Sequence, residues 1–519
     1  MSPRRLALLF TVLPAVLSAS PTFAPDQVPA HEYTGGWEHF VGGGVAVFDC
    51  NDDYFPEAFV AGGSTPALLL QNTTGKAGDP ISMTPLDSTS LTLTGVIGAY
   101  PLDIDSDGLM DLSILRSGEN LLMRGLGDCR FEPLPDSLGF HSTDAWTTAF
   151  TATWEHANRL PTLAFGNYVD RNDPKGPFET CDRNQLFRPL SDHYVNPVPL
   201  TPGYCPLSML FSDWSRTGRQ DLRISNDRHY YVKEGSEQLW AMEQDPRLFS
   251  TEDGWREYKI WGMGIASRDL NGNGQQEIYL TSMGDQKLQS RALGESGPRY
   301  DDVTYDLGTT AHRPYLGDDG RPSTGWHVAF GDVQNDGRDD IFVSKGNVEQ
   351  MPSAAMADPN NLLLQNQDGH FSEFGDVAGI ATKDRSRGAA LVDFNLDGKL
   401  DLMVVNRRAP LEMYENTTST TGHWVLLSIT QPAPNTRAIG AFVEVRTTER
   451  VHLRELTVGG GHAGGDAAPL HIGLGKALSA DLRVIWPDGN VTDWTPLPMN
   501  QHTSVHGSSA HPTLKRLNP

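Results

Sequence analysis

Asp393–Leu402 reads D-F-N-L-D-G-K-L-D-L. Oxygen side chains occupy alternate positions, Asp393, Asn395 and Asp397; Gly398 follows, then Asp401. Like charges about 4 Å apart near a protein surface repel by roughly 4 kcal/mol per pair. A loop with oxygens at its first, third and fifth positions, a turn glycine and a later carboxylate suits Ca²⁺, which takes oxygen ligands in a flexible shell. One copy alone reads equally well as a solvated acidic turn. Repetition favours the metal.

Each further copy follows a short apolar strand and precedes another. The first is Asp49, Asn51, Asp53 and Glu57; the second is Asp103, Asp105, Asp107 and Asp111. Then come Asp213, Ser215, Thr217 and Asp221, followed by Asp269, Asn271, Asn273 and Glu277, and by Asp332, Gln334, Asp336 and Asp340. Tyr54 replaces the turn glycine in the first, and a degenerate unit at 150–168 has no acidic loop. Loop starts at 49, 103, about 154, 213, 269, 332 and 393 are separated by 54, 51, 59, 56, 63 and 61 residues. Period-2 apolar runs bounded by turn residues read as strands, with a third and fourth per unit as in N-L-L-L-Q-N and G-H-F-S-E-F at 361–374. Seven units of four strands predict an all-β chain built on a seven-bladed β-propeller. A strand-and-helix solenoid fails because no unit carries a long 3.6-residue apolar period.

The net charge of −24 argues against nucleic acid and anionic membrane as partners. Arg4 and Arg5, an apolar run from Leu6 to Val16 and small residues after it predict a signal peptide over 1–22, hence a secreted or periplasmic protein. That run is too short to span a bilayer, and nothing later approaches a membrane span. Four cysteines allow two bridges. Cys181 and Cys205 flank an irregular insertion at 170–203 and are expected to staple it; Cys50 and Cys129, in adjacent units, are the expected second pair.

The propeller is expected over 37–416. A polar linker, N-T-T-S-T-T-G at 416–422, ends the period. Strands at 424–429, 441–446, 453–458, 470–474 and 482–486 predict a small antiparallel β-sandwich-like domain over 420–507, with 508–519 as a tail.

With these residues in view, the chain resembles the FG-GAP/VCBS-repeat proteins that end in an ASPIC/UnbV domain, the family of cartilage acidic protein. The repeats resemble integrin α-subunit propeller repeats, whose D-x-D-x-D-G-x-x-D loops bind Ca²⁺. The loops at 103–111 and 393–401 match that pattern residue by residue. Those at 269–277 and 332–340 match with conservative swaps, and 49–57 lacks the glycine. About five Ca²⁺ sites of structural role follow from the resemblance. The loop of Asp213, Ser215, Thr217 and Asp221 is doubtful because two charges are gone. The ASPIC/UnbV likeness rests on N-T-R-A-I-G-A at 435–441, G-G-G-H-A-G-G at 459–465, H-I-G-L-G at 471–475 and W-P-D-G at 486–489. The family implies extracellular binding or adhesion, with a protein or glycan ligand.

Five to seven residues before each loop, the innermost strands reach one end of the propeller channel. Met263, Trp326, His327 and Arg387 fall there; Asp227 and His229 form a polar stretch after another strand. Together they are pocket candidates. The plainer reading is that Trp326 and His327 plug the channel. An open channel with His327, Arg387 and a carboxylate converging would favour an enzyme, a lyase or hydrolase on a carbohydrate or small metabolite; a plugged one favours a binding module. His462 and His471 flank the glycine-rich run, too few for a transition-metal site. That run is expected to allow tight turns. N-x-T triplets begin at Asn72, Asn416 and Asn490.

Overall fold

The computed structural model describes residues 20–155, 158–173, 180–227, 235–292, 294–317, 320–419 and 422–518. Six consecutive four-stranded antiparallel units open with the innermost strands Val45–Phe48, Val96–Leu102, Ala145–Thr153, Pro206–Ser212, Gly262–Arg268 and Gly325–Gly331. The seventh is built from Ser386–Val392, Asp401–Asn406 and Glu412–Asn416. Its fourth strand is Phe23–Asp26, from the other end of the chain, with Phe23 opposite Asn416. The innermost strands touch in cyclic order, the seventh against the first, so the sheets form a closed propeller. Ring closure therefore takes in residues 23–26, which the expected span of 37–416 omits. F-A-P-D is too short to show alternation, and its Pro25 suits an edge strand.

Apolar side chains fill the space between neighbouring blades. Val45, Phe48, Phe59 and Leu70 of the first blade pack with Leu112 and Ile114 of the second and Met403 of the seventh. In the degenerate third blade the insertion supplies strands three and four, Asn184–Phe187 and Val198–Leu200. Both expected disulfides are present, Cys50–Cys129 and Cys181–Cys205. The first ties blade one to blade two, and the second staples the insertion. Such bridges belong to an oxidising environment. Among the described residues no helix is long and apolar enough to cross a membrane.

Six innermost strands share an irregularity. Their pairing slips near the start, as between Gly262 and Ile265, Gly325 and Val328, and Ser386 and Ala389. A β-bulge re-aims the side chains within it. Met263, Trp326, His327 and Arg387 all sit in such bulges, so their directions follow from the bulge rather than from simple alternation.

The C-terminal domain is a sandwich of two four-stranded sheets. One is ordered Leu470–Gly475, His423–Thr430, His502–His506, Thr513–Arg516; the other is ordered Val451–Glu455, Phe442–Arg446, Ala480–Ile485, Thr495–Leu497. Val425, Leu427, Val443, Ile472, Val484 and Trp486 form its core. Two expectations are corrected here. His423–Thr430 and His502–His506 run parallel, which their long connection permits. Thr513–Arg516 is an edge strand, so most of the expected tail belongs to the domain.

Candidate functional site

The acidic loops share one geometry. The sixth residue donates its N–H to the first aspartate: Gly108 to Asp103 at 2.9 Å, Gly274 to Asp269 at 2.9 Å, Gly337 to Asp332 at 2.6 Å and Gly398 to Asp393 at 2.7 Å. That residue has φ near +82° to +92°, which glycine adopts freely. Tyr54 takes the same role at φ 75°, donating to Asp49 at 2.9 Å, and its ring lies edge-on to His502 of the C-terminal domain. The ninth residue turns its carboxylate inward and accepts the second residue's N–H, as Asp111 does from Ile104 at 2.7 Å.

The first and ninth carboxylates are gathered in every one of these loops, and in the second the third residue joins them. Asp103, Asp105 and Asp111 bring oxygens within 4.8 Å of one another. Burial, reinforced by neighbouring aspartates, pushes the Asp111 and Glu57 carboxyls up to about 8 and that of Glu277 to about 7. Asp340 and Asp401 rise well above the usual carboxylate range for the same reasons. Concentrated buried acid of this kind fits a hard cation with oxygen ligands.

Other expected ligands stand apart from that convergence. Asp107 is exposed; its oxygens accept the Leu109 N–H at 2.9 Å and Arg124 Nη2 at 2.8 Å. Asp336 accepts the Arg338 N–H at 3.1 Å and pairs with that side chain at 2.9 Å, as Asp397 pairs with Lys399 at 2.8 Å. Asn51 and Asp53 bond each other, Asn51 Nδ2 donating to Asp53 Oδ2 at 2.9 Å, while Asp53 Oδ1 accepts the Phe55 N–H at 2.9 Å. Asn273, also exposed, accepts the Gln275 N–H at 2.8 Å, and Asn271 donates to Glu277 at 2.8 Å. In this structure Asn51, Asp53, Asp107, Asn273, Asp336 and Asp397 are thus engaged with loop amides or neighbouring side chains rather than turned toward one centre. For the residues at position five the physical reason is their short side chain. It reaches the backbone amide two residues on more readily than the loop centre, a turn that Asp and Asn favour. Basic neighbours then hold Asp107, Asp336 and Asp397 at the rim. The fourth blade differs further: Asp221 accepts from Trp214 Nε1 at 2.8 Å and from Arg219 Nε at 2.7 Å, so an arginine stands where charge neutralisation is needed.

The C-terminal domain covers this loop face. Thr436 donates to Asp103. Glu455 accepts from the Asp213 N–H at 2.7 Å, and Arg454 pairs with Asp339 at 2.9 Å. His471 Nε2 meets the Gly398 carbonyl at 3.1 Å. From this base the glycine run enters the channel. Gly460 N–H donates to Met209 O and Gly461 N–H to Ile265 O, both at 2.7 Å. Val47 N–H donates to Gly465 O at 3.1 Å, and Gly464 bridges to Ala99. The run is therefore a plug and not a set of turns. Its backbone pairs with the innermost strands as an extra strand would. Glycines on both partners make the approach possible: a Cβ on Gly44 would lie 1.8 Å, and one on Gly98 1.6 Å, from Ala463 O.

His462 caps the plug and is fully buried. Its Nε2 accepts the Gly42 N–H at 3.2 Å, and its ring lies 5.0 Å from Trp326. Its N–H donates to His327 Nδ1 at 3.1 Å. Burial holds the His327 imidazole down to about 4 and that of His462 to about 3. His462 and His471 are thus separated by role, one in the plug and one on a loop carbonyl.

Arg387 lies behind Trp326, its guanidinium 4.0 Å from the ring centre. It is caged by carbonyls: Phe40 O at 3.1 Å, Ser386 O at 3.0 Å, Asn347 O at 3.2 Å and Val348 O at 2.6 Å. Burial pulls its guanidinium well below the ordinary arginine range. The expected convergence of His327 and Arg387 on one pocket is not met: His327 faces the channel interior, Arg387 the cage, and Trp326 with His462 closes the passage.

A pocket of about 530 Å³ lies at the mouth, on the face away from the C-terminal domain. Met263, Trp326 and Asp227 line it, as the sequence placed them. Arg387 and His327 do not, and His229 lies outside the described residues. Trp37, Phe40, Met283 and Met351 complete an apolar wall, and Glu349, Arg407 and Arg408 a charged edge. Arg407 Nε meets Glu349 at 2.6 Å. Trp37 is 43% exposed on the rim and packs edge-on against Trp146 at 5.0 Å. Tyr168 donates its hydroxyl to the buried Asp227 at 2.5 Å. The aromatic pair Trp37 and Phe40 lies in the linker before the first blade, where a dense W-E-H-F was the available signal.

Two of the sequons are occupied by structure. Asn72 and Asn416 are buried, each donating to two carbonyls, whereas Asn490 is exposed.

Fold and site define an all-β propeller whose channel is plugged by a C-terminal ASPIC/UnbV domain: residues 431–512 match the family model described as ASPIC and UnbV. The chain is similar to Cartilage acidic protein 1, with 25% identity to the mouse protein over 44% of this chain and 34% of that one. Identity to the human protein is 29% over 30% of this chain and 22% of that one. The matched region thus spans about a third or less of these relatives. A lectin structure from Burkholderia pseudomallei, BP39L, aligns over 88% of this chain and 99% of its own at 9% identity and a TM-score of 0.41.

Proposed function

We propose that the protein is an extracytoplasmic, Ca²⁺-stabilised binding propeller that holds a protein or glycan ligand at the channel mouth. The observation that carries this reading is the division of the channel. One end is filled by the plug and covered by the C-terminal domain; the other offers an aromatic and thioether wall beside a charged rim. A wall of this kind suits the apolar face of a sugar or an aromatic side chain, with rim charges fixing orientation. The enzyme reading needs an acid, a base and a substrate position in one open site. The carbonyl cage around Arg387 and the seat of His327 beyond the plug weigh against it. Two disulfides support an oxidising compartment and, with the signal-like N-terminus, secretion or the periplasm.

The loops at 49–57, 103–111, 269–277, 332–340 and 393–401 would hold the cations, chiefly through their first and ninth carboxylates. Asp107, Asp336 and Asp397 could join once Arg124, Arg338 and Lys399 let go of them. Bound Ca²⁺ supplies positive charge that neutralises each cluster and ties the first two strands of a blade together. The loops in turn seat the C-terminal domain, so metal and plug support one another. A glycan array and an extracellular-protein display screen test the reading, with Trp37→Ala and Asp227→Asn as controls. Saturable binding lost in both variants supports it; binding unaffected by either removes the mouth from consideration.

A further inference from the structure

Below the plug lies a second space. It measures about 310 Å³, roofed by Gly459–Gly461 and walled by the innermost strands. Its floor is the C-terminal domain, through Leu427, Ile429 and His471. Many lining side chains are apolar, but backbone and polar groups contribute as much of its surface, and charges of both signs face in. Asp103 and Arg437 at its edge are engaged, with Thr436 and the Gly108 carbonyl. Asp466 and Arg268 are the two least firmly held. Asp466 lines the chamber and keeps accessible surface there. Among the described residues no side chain bonds or pairs with its carboxylate, which accepts the Ala468 backbone N–H. Burial raises that acid to about 6, with Arg268 opposing the rise. Arg268 lines the same chamber. It donates to Phe330 O at 3.1 Å and stands 3.9 Å from Asp339, whose carboxylate Arg454 already holds at 2.9 Å. No ion pair joins Arg268 to Asp466 among the described residues. His327 adds a neutral donor: its Nδ1 accepts from the plug, which leaves Nε2–H as the other edge of a ring lining the chamber.

A carboxylate with no cationic partner and a guanidinium that shares a carboxylate already held by Arg454 leave charge incompletely compensated inside the protein, which is costly unless something bridges them. A polyol would offer hydrogen bonds but no compensating charge, and a simple anion or cation would satisfy only one side. We propose that the chamber binds one small zwitterion of α-amino-acid size, its ammonium group on Asp466 and its carboxylate on Arg268 and the His327 Nε2–H. The volume lies at the lower end of ordinary ligand sites, about 300 to 1,000 Å³. The site belongs to propeller and C-terminal domain together and is separate from the mouth.

The test uses the full chain with its Ca²⁺. Protein is dialysed, incubated with ¹³C-labelled L-serine and desalted; retained label is counted, and amines released on denaturation are assayed. About one equivalent of serine or of an endogenous amino acid is expected, falling at least ~10-fold in Asp466→Asn and in Arg268→Gln. Ala390→Leu, which fills the chamber without touching either charge, is expected to exclude serine in a chain that still melts cooperatively. It decides the matter if the charge variants fail to fold. Trp37→Ala is expected to retain label as wild type does. Three results would overturn the proposal: no retained amine in the wild-type chain, equal retention of labelled glycerol, or loss of label in Trp37→Ala.

Discussion

The two ends of the channel are made from the same seven strands yet do opposite work. At the loop end polar groups are engaged with one another: aspartates with loop amides, loop carbonyls with Arg450 and His471, innermost strands with the glycine plug. At the mouth the strands stop at bulges, and what lies beyond is apolar, aromatic and partly exposed. The difference teaches that fastening and recognition are separated along one axis. The loop end uses its side chains to hold the ring and its cover, which leaves the mouth free to present surface.

Removing Ca²⁺ is expected to act on the loop end with the largest effect. A ligand at a hundredfold excess over its Kd stabilises the folded state by about 2.7 kcal/mol per site, so several sites together should lower the melting temperature by more than ~10 °C on chelation. Calorimetry with and without EDTA, paired with elemental analysis, measures this. An unchanged melt and no bound calcium would remove the metal from the loop end. Next comes Trp326→Ala, at the boundary between the ends. The indole is fully buried between Arg387 and His462, and truncation of a buried Trp costs about 3–5 kcal/mol. Urea unfolding should register that loss; a change below ~1 kcal/mol would mean the plug is seated without it.

Acid should undo the plug more gently. His327 and His462 have folded values near 4 and 3, below the unfolded 6.5. Between those limits the unfolded chain binds more protons, so stability rises with pH there. The contribution of both rings is complete above about pH 7 and is lost as pH falls toward 4. The melting temperature of His462→Gln should therefore depend less on pH over that window than the wild-type value; identical slopes would exclude the plug as the source. The smallest effect on stability belongs to the mouth. Trp37→Ala forfeits one edge-on contact, about 0.5–1.5 kcal/mol, while weakening ligand binding by ~10-fold or more. The reverse ranking would place Trp37 among the fastenings.

What could be read from the residues alone follows the same division. The acidic loops were legible because their pattern is local and recurs, and the blades follow from it. Spacing did not reveal which loop oxygens turn inward: Asp107 and Asp336 answer to Arg124 and Arg338, and Arg124 arrives from the next strand. Cys181–Cys205 was legible from the insertion it flanks, and Cys50–Cys129 from its place in adjacent units. The plug was not: Gly44 and Gly98 look like ordinary strand glycines until Ala463 arrives from far along the chain. Counting back from the loops found Met263 and Trp326 at the mouth. It could not tell that the bulge sends His327 inward and Arg387 into a cage, because bulge direction depends on the neighbouring blade. Trp37 and Phe40 come from a linker that the period does not cover. Phe23–Asp26 carries no pattern and gains its place only by meeting Glu412–Asn416.

That strand has a consequence for the order of assembly. The ring is shut by residues almost four hundred positions apart, whereas the plug, with Val458 before it, needs the first five innermost strands already standing side by side. An incomplete ring would leave G-G-G-H-A-G-G with too few backbone partners and nowhere to bury His462. The C-terminal domain, synthesised last, thus acts as a gauge: it seats fully only on a propeller whose two ends have found each other.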